Sequence, residues 1–406
     1  MANNFIDALG LTREYLRILS NNRIFNRLCY QGYSAGNFGN ANPKENDTLN
    51  VRLPNRYKVV NGATYQAQYV QERTVPIVLN TRKHVPLSFS QTELTMQIND
   101  FSNLYLRPAA IQMAEELDYD GLGLYKSVYN QVGTPGVTPD TIDTYIDART
   151  ILTDNQAPPD GDWSVIVNPA TEGALIKENT GLFNPQIDTS DRWRKGKIGN
   201  PVAGFQFYSD QNVRLHTTGN FGTGCQLKTP LTDNSNTIIL DTFAGVTGNP
   251  GANEGDIFTI DGIYSVNPSN KQSTGRLQQF VVKTSTWDTT NTQLVLTVGP
   301  TPIASQTDAW QNITSLGVAA APVTFSGTQN SMYPIYLAFA KDAFVFVSAD
   351  LYVPNGYDMA AKESEDGLSL LFLRDMDIST TEIVSRMDIL YGYGIPRPEL
   401  ACRILG

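Results

Sequence analysis

Five residues, Gly32-Tyr-Ser-Ala-Gly36, match the G-x-S-x-G pattern that presents a serine nucleophile. That chemistry needs a strand before the serine, a helix after it, and a histidine and an acid to take the proton. Here a helical pattern precedes Ser34 and the polar loop NFGNANPK follows it. The chain has two histidines, His84 and His216, so a triad would have to recruit His216 and some acid between them. A loop is the better reading, and a hydrolase using residues 32–36 is the remote alternative.

Other reactive residue types are sparse. Cys29, Cys225 and Cys402 are odd in number and far apart, which argues against a disulfide framework and fits a reducing compartment. No Cys/His cluster has metal spacing, and no P-loop or G-x-G-x-x-G occurs, so no metal, catalytic residue or cofactor is assigned. Glu115, Glu116, Asp118 and Asp120 crowd one stretch. On a helix only Glu116 and Asp120, four apart, share a face, and exposed pairs of this kind usually solvate it.

The cations have a stronger pattern. Arg52, Arg56, Lys58, Arg73, Arg82 and Lys83 stand against Glu72 alone, a local charge of +5 in a chain of net charge −10. Two readings stay open. One is a solvated face. The other is a basic arm laid on an acidic surface of a neighbour, with Glu115, Glu116, Asp118 and Asp120 as landing residues.

These residues need elements to hold them. Residues 12–28, TREYLRILSNNRIFNRL, read as one or two short helices, with Thr12 as cap and a face of Tyr15, Leu16 and Leu19. The Asn21-Asn22 pair reads as a break. Residues 49–98 alternate in strand fashion, with Pro54, Pro76 and Pro86 marking edges and Asn61-Gly62 a turn, so a long hairpin is the simplest reading. From 100 to 132, Leu106, Ala110, Met113, Leu117, Gly121, Leu124 and Val128 form one stripe, predicting a helix about 45 Å long. Asp140 is expected to cap a second helix. WSVIVNP is read as a buried strand and ATEGALIKE as helix.

At about residue 221 the texture changes. Thr, Asn, Gly and Val dominate to about 330, with strands near 237–240, 256–266, 278–284 and 293–298 and no helical period. That predicts a separate small β-barrel or sandwich. Residues 335–351 read as strand, turn or helix, then strand, and 368–378 as another strand, so the β domain is an insertion. In RMDILYGYGIPRPELACRILG, Tyr391-Gly-Tyr-Gly394 is expected to turn the chain, the two prolines to extend it, and residues 400–405 to re-enter a sheet.

The whole chain bounds the rest. Its 406 residues allow two or three domains, and its acidity argues against a general nucleic-acid or anionic-membrane binder. No secretory signal is expected from MANNFIDALG, and residues 335–347 are too short and too charged to span a bilayer.

EGDIFTIDGIYSVNPSNKQSTGRLQQFVV, IYLAFAKDAFVFV and RDMDISTTEIVSRMDILYGYGIPRPELACRI together resemble the major capsid proteins of tailed bacteriophages, in the podovirus-type branch with an inserted domain. The resemblance implies an α+β chain of the Hong Kong 97-type capsid fold. Its parts would be an N-terminal arm (1–48), an extended arm or E-loop (49–98), a peripheral domain with a spine helix (99–139), an axial domain (140–222), an inserted β-barrel (223–332) and a return to the axial and peripheral domains (333–406). It implies a structural major capsid protein, not an enzyme, that self-assembles into an icosahedral shell around the phage genome. Another virion component, such as a tail or decoration protein, is the alternative.

The implied partners are further copies in hexameric and pentameric capsomers, a portal protein, and optional scaffolding and decoration proteins. Double-stranded DNA would be enclosed without sequence-specific binding, and no membrane is involved. The implied location is the virion, with the host cytoplasm during assembly. The amino-terminal helix departs from the acidic scaffold-binding arm of a well-known relative: Arg13, Arg17, Arg23 and Arg27 face Glu14 alone, so no scaffold residues are carried over. Some capsids of this fold join a Lys to a neighbour's Asn. Nothing singles out Lys58 or Lys83 for that, and no crosslinking is expected.

Overall fold

A computed structural model describes residues 8–33, 46–57, 59, 62, 72–90, 102–159, 162–178, 202–306, 308–353, 356–377 and 382–406. They fall into two units. The first holds residues 1–53, 74–121 and 344–396; the second holds 54–73, 122–343 and 397–406.

In the first unit, helix α1 (Ala8–Asn22) stops at the Asn pair and is followed by the short α2 (Phe25–Leu28). Tyr15, Leu16 and Leu19 are buried as expected. Thr12 is not the cap: it lies inside α1 and is itself buried. Strands β1 (Thr48–Arg52) and β2 (Thr74–Val78) pair antiparallel, Thr48 opposite Val78. The hairpin ladder goes no further among the described residues. β3 (Thr81–Ser90) instead pairs with β18 (Glu382–Gly394), from Thr81↔Tyr391 to Ser90↔Glu382. The opposite edge of β18 takes β17 (Leu368–Asp377) and then β15 (Val345–Ala349), and β16 (Met359–Glu365) lies beyond β17.

The long apolar stripe does form a helix, but a shorter one. A π turn (Ser102–Leu106) leads into α3 (Arg107–Leu122), and a 3-10 turn (Gly123–Ser127) follows. Leu106, Ala110, Met113, Leu117 and Val128 are buried. The stripe is a packing pattern, and it persists past the last helical turn, so it overstates the helix: residues 131–132 are strand β4 (Gln131–Val132).

Tyr391-Gly-Tyr-Gly394 is not a turn. It is the end of β18, paired with β15 through Gly394↔Val345. A Cβ on Gly392 would strike the Val78 carbonyl oxygen, and one on Gly394 would lie 2.6 Å from Ile77 Cγ1. The glycines clear space for the β2 segment, whose Ile77 and Leu79 share a core with Leu49, Val51, Val345, Val347 and Leu390.

In the second unit a mixed sheet runs β4, β19 (Ala401–Leu405), β14 (Met332–Ala340), β5 (Trp163–Val167) and β6 (Gln206–Ser209), with β7 (Leu215–Thr217) also on β14. WSVIVNP is that fully buried β5. Residues 401–405 do re-enter a sheet, between β14 and β4, and every one is buried. Helices α4 (Ile142–Asp154) and α5 (Pro169–Glu178) flank the strands. Thr141, not Asp140, holds the cap position of α4, and its side chain makes no capping bond.

The insertion is a closed six-stranded barrel. Its order is β13 (Val323–Phe325), β10 (Ile257–Val266), β11 (Ser273–Asp288), β12 (Gln293–Gly299), β9 (Thr237–Asp241) and β8 (Gln226–Leu227). Closure comes from the Gln226↔Pro322 bridge and from Val323 N–H donating to Cys225 O. Phe258, Phe280, Phe325, Leu294, Leu296 and Val298 fill the interior, with Phe221 stacked on Phe325 at 4.3 Å. Entry and exit lie together: Thr218 N–H donates to Ser331 O, and Asn330 N–H to Gly219 O.

Candidate functional site: the basic stretch and its carboxylates

The cations that are contiguous in sequence divide between the units. Arg52, Arg82 and Lys83 belong to the first, Arg56 and Arg73 to the second, and Lys58 lies outside the described residues.

Lys83 points from β3 to α3 of its own chain. Its Nζ is 2.7 Å from Glu116 Oε2 and 2.7 Å from Asp120 Oδ2. The helical spacing of four brings those two carboxylates to one face, as the sequence predicts. Burial alone would lower the Lys83 ammonium, but the hydrogen bonds it donates to Asp120 and Glu116 outweigh that, so its pKa is raised above the ordinary lysine value. Asp120 also accepts a 2.6 Å hydrogen bond from the Tyr391 hydroxyl. Arg82, next along β3, donates to Asp388 Oδ2 at 2.5 Å, and Arg386 donates to Oδ1 at 2.5 Å. Asp388 is wholly buried, so two half-exposed guanidinium groups neutralise an interior carboxylate.

Asp118 is buried and faces inward. Its Oδ2 accepts from Ile24 N–H at 2.7 Å and its Oδ1 from Asn26 N–H at 3.0 Å, at the amino end of α2. Its place in the fold is that of an internal cap, not a surface acid, because the sequence shows the charge and not the direction it faces. Glu115 is half-buried on the same helix, and Arg52 stands exposed at the end of β1.

In the second unit, Arg56 and Arg73 lie over the ring of Trp310, and Arg56 also reaches Glu399 at 3.4 Å. Nothing in the local sequence marks Trp310 or Glu399 as their partners. A second polar cluster is more buried. His216 Nε2 meets Asp256 Oδ1 at 2.8 Å and its Nδ1 meets the Tyr125 hydroxyl at 3.1 Å, while Asp256 Oδ2 accepts from Gly219 and Asn253 N–H. Arg403 donates to Gly255 O at 2.6 Å and lies over the Tyr125 ring. Burial pushes Arg403 down to about 9, still charged at neutral pH. Both nitrogens of His216 are thus engaged within a packed polar cluster. His84 is exposed on β3, and Ser34 lies outside the described residues.

Among the described residues no group of three or more His, Cys, Asp or Glu could hold a metal, and no helix is long and apolar enough to cross a membrane. All three cysteines are buried as free thiols, and burial pushes each thiol up.

Comparison with known proteins gives weak structural likeness and one family. A chain from Mycobacterium phage Che8 shares 13% identity, over 94% of this chain and 90% of that chain, at a TM-score of 0.49. The capsid of cyanophage P-SCSP1u shares 10% identity, over 89% and 84%, at 0.44. A virus-like particle from Pyrococcus furiosus shares 9%, over 97% of each chain, at 0.40. No curated protein sequence matches. The family model described as P22 coat protein - gene protein 5 matches residues 63–406, from within the basic stretch through the barrel to β19. This chain therefore belongs to the P22 coat protein family and is a structural capsid protein.

Proposed function

We propose that copies of this chain close into an icosahedral shell of hexameric and pentameric capsomers around double-stranded DNA, in the Hong Kong 97-type arrangement, without enzymatic activity. The observation that carries this reading is the coat-protein family match over residues 63–406. A portal protein is a partner at one vertex, scaffolding and decoration proteins are optional partners, and assembly takes place in the host cytoplasm. The parts are an amino-terminal arm at 1–48, an extended arm at 49–98, a peripheral spine-helix region at 99–139, an axial domain at 140–222, the barrel at 223–332, and a return to the axial and peripheral domains at 333–406.

The extended arm is the element that meets a second copy. A basic stretch of +5 within a chain of −10 leaves −15 elsewhere, so oppositely charged patches exist on one subunit, as head-to-tail rings require. Arg52 and Lys58 are the contact candidates on the arm side, Glu115, Glu116 and Asp120 on the receiving side, and Arg56 and Arg73 act within the chain on Trp310. Arg82 and Lys83 contribute mainly within the chain, through Asp388, Glu116 and Asp120.

Electron microscopy of the expressed protein tests the reading. Closed shells or capsomer rings are expected. Fibres or tubes would point to a tail component, and monomers alone would overturn shell formation.

A further inference from the structure

Trp310 stands in the connection between β12 and β13 of the barrel. Two arginines from a distant stretch lie over its one ring: the Arg56 guanidinium carbon is 4.8 Å from the ring centroid, and that of Arg73 is 4.3 Å. Arg56 is also tied to Glu399, which receives Arg397 Nε at 3.5 Å. Burial lowers Arg73, Asp308 opposes that, and Arg56 adds to it. Two like charges on one ring repel each other. The arrangement holds because the indole face attracts each cation and the acids Glu399 and Asp308 lie near.

Arg56 and Arg73 bracket residues 57–72 of the basic arm, and those two residues belong with Trp310 in one unit. The β1–β2 ladder ends at Arg52↔Thr74, and both guanidinium groups on one ring extend that closure to Arg56 and Arg73, the roots of the segment between them. A segment whose ends are already joined has met its closure entropy within the fold, before any neighbour arrives. Binding then costs less, since ordering at the moment of contact is a main charge against affinity.

We propose that Trp310 is a positioning residue for assembly: it clasps both roots of the arm, so that the arm meets a second copy of this chain preorganised. This rests on the reading of the arm as an element of contact between copies. The partner is therefore another subunit, and the barrel acts on assembly through the arm it holds.

The test uses the full chain before assembly. Cys29, Cys225 and Cys402 are all buried, so spin labels can be directed to Tyr57→Cys with Glu72→Cys. The distance distribution between the labels should be narrow. It should broaden several-fold with Trp310→Ala and stay narrow with Trp310→Phe, which keeps an aromatic face. Shell formation, followed by light scattering, should slow about tenfold with Trp310→Ala and recover with Trp310→Phe; a factor of ten corresponds to about 1.4 kcal/mol. Thermal melting of each variant reports folding, and Arg56→Gln with Arg73→Gln repeats the comparison with Trp310 intact if Trp310→Ala does not fold. A distribution that stays narrow without the indole overturns the clasp. A broadened distribution with wild-type assembly leaves the clasp real but overturns the arm's part in contact between copies, and with it the positioning role.

Discussion

Asp118 shows how a single carboxylate can be misplaced by its neighbours in sequence. It lies in an acidic run, yet it accepts two backbone N–H groups and caps α2 from a residue far along the chain. Replacing Asp118 with Ala leaves one buried and one partly buried donor without their acceptor, the buried one costing about 1–3 kcal/mol. Urea unfolding of the unassembled subunit should show a loss of about 2–4 kcal/mol. Asp118→Asn, which keeps one acceptor oxygen, should lose less. Gly392 makes a second residue-scale prediction. The atom facing its missing Cβ is the Val78 carbonyl oxygen, part of the backbone and unable to swing aside. Gly392→Ala should lower stability by about 1–3 kcal/mol, measured the same way. Neither role was legible beforehand. Glycine beside tyrosine reads locally as a turn, and the strand that needs its space lies some 300 residues earlier in the chain.

At the scale of elements, what repeats along the chain was readable and what depends on a distant partner was not. Composition and turn signals in the barrel predicted β9, β10 and β12 closely, and the middle of the longer β11. The two-residue β8, which closes the barrel, is too short to carry a pattern. The apolar stripe located α3, yet its end drifts into a 3-10 turn that a period of three and four cannot distinguish. The barrel also has its own core and adjoining ends. Residues 221–330, expressed alone, should therefore give a dispersed, β-rich NMR spectrum. A collapsed, disordered spectrum would mean that the barrel borrows its stability from the flanking sheet.

At the scale of the whole molecule, charge and chemistry make two further predictions. Exposed pairs contribute about 0–1 kcal/mol each, but a shell repeats every interface. Assembly should slow as salt rises through about 0.1 M, where screening reaches about 10 Å. Arg52→Glu with Lys58→Glu should block it at low salt while leaving the subunit folded. Normal shells from that double variant would reduce the basic stretch to a solvated face. Covalent joining is the other question. Lys83 is bound by two carboxylates that favour its charged, non-nucleophilic form. Boiled, reduced shells should run as one band near the chain mass of 44.7 kDa, and a ladder would disprove this.

β18 has one more consequence, a mechanical one. Along one edge it is laced to β3 from Glu382 to Tyr391, and along the other to β17 and then β15. A pull along β18 loads all three ladders in shear, so the bonds must give way together instead of unzipping from one end. A packed genome pushes outward on its container, and a strand anchored this way can carry tension through the wall without extending.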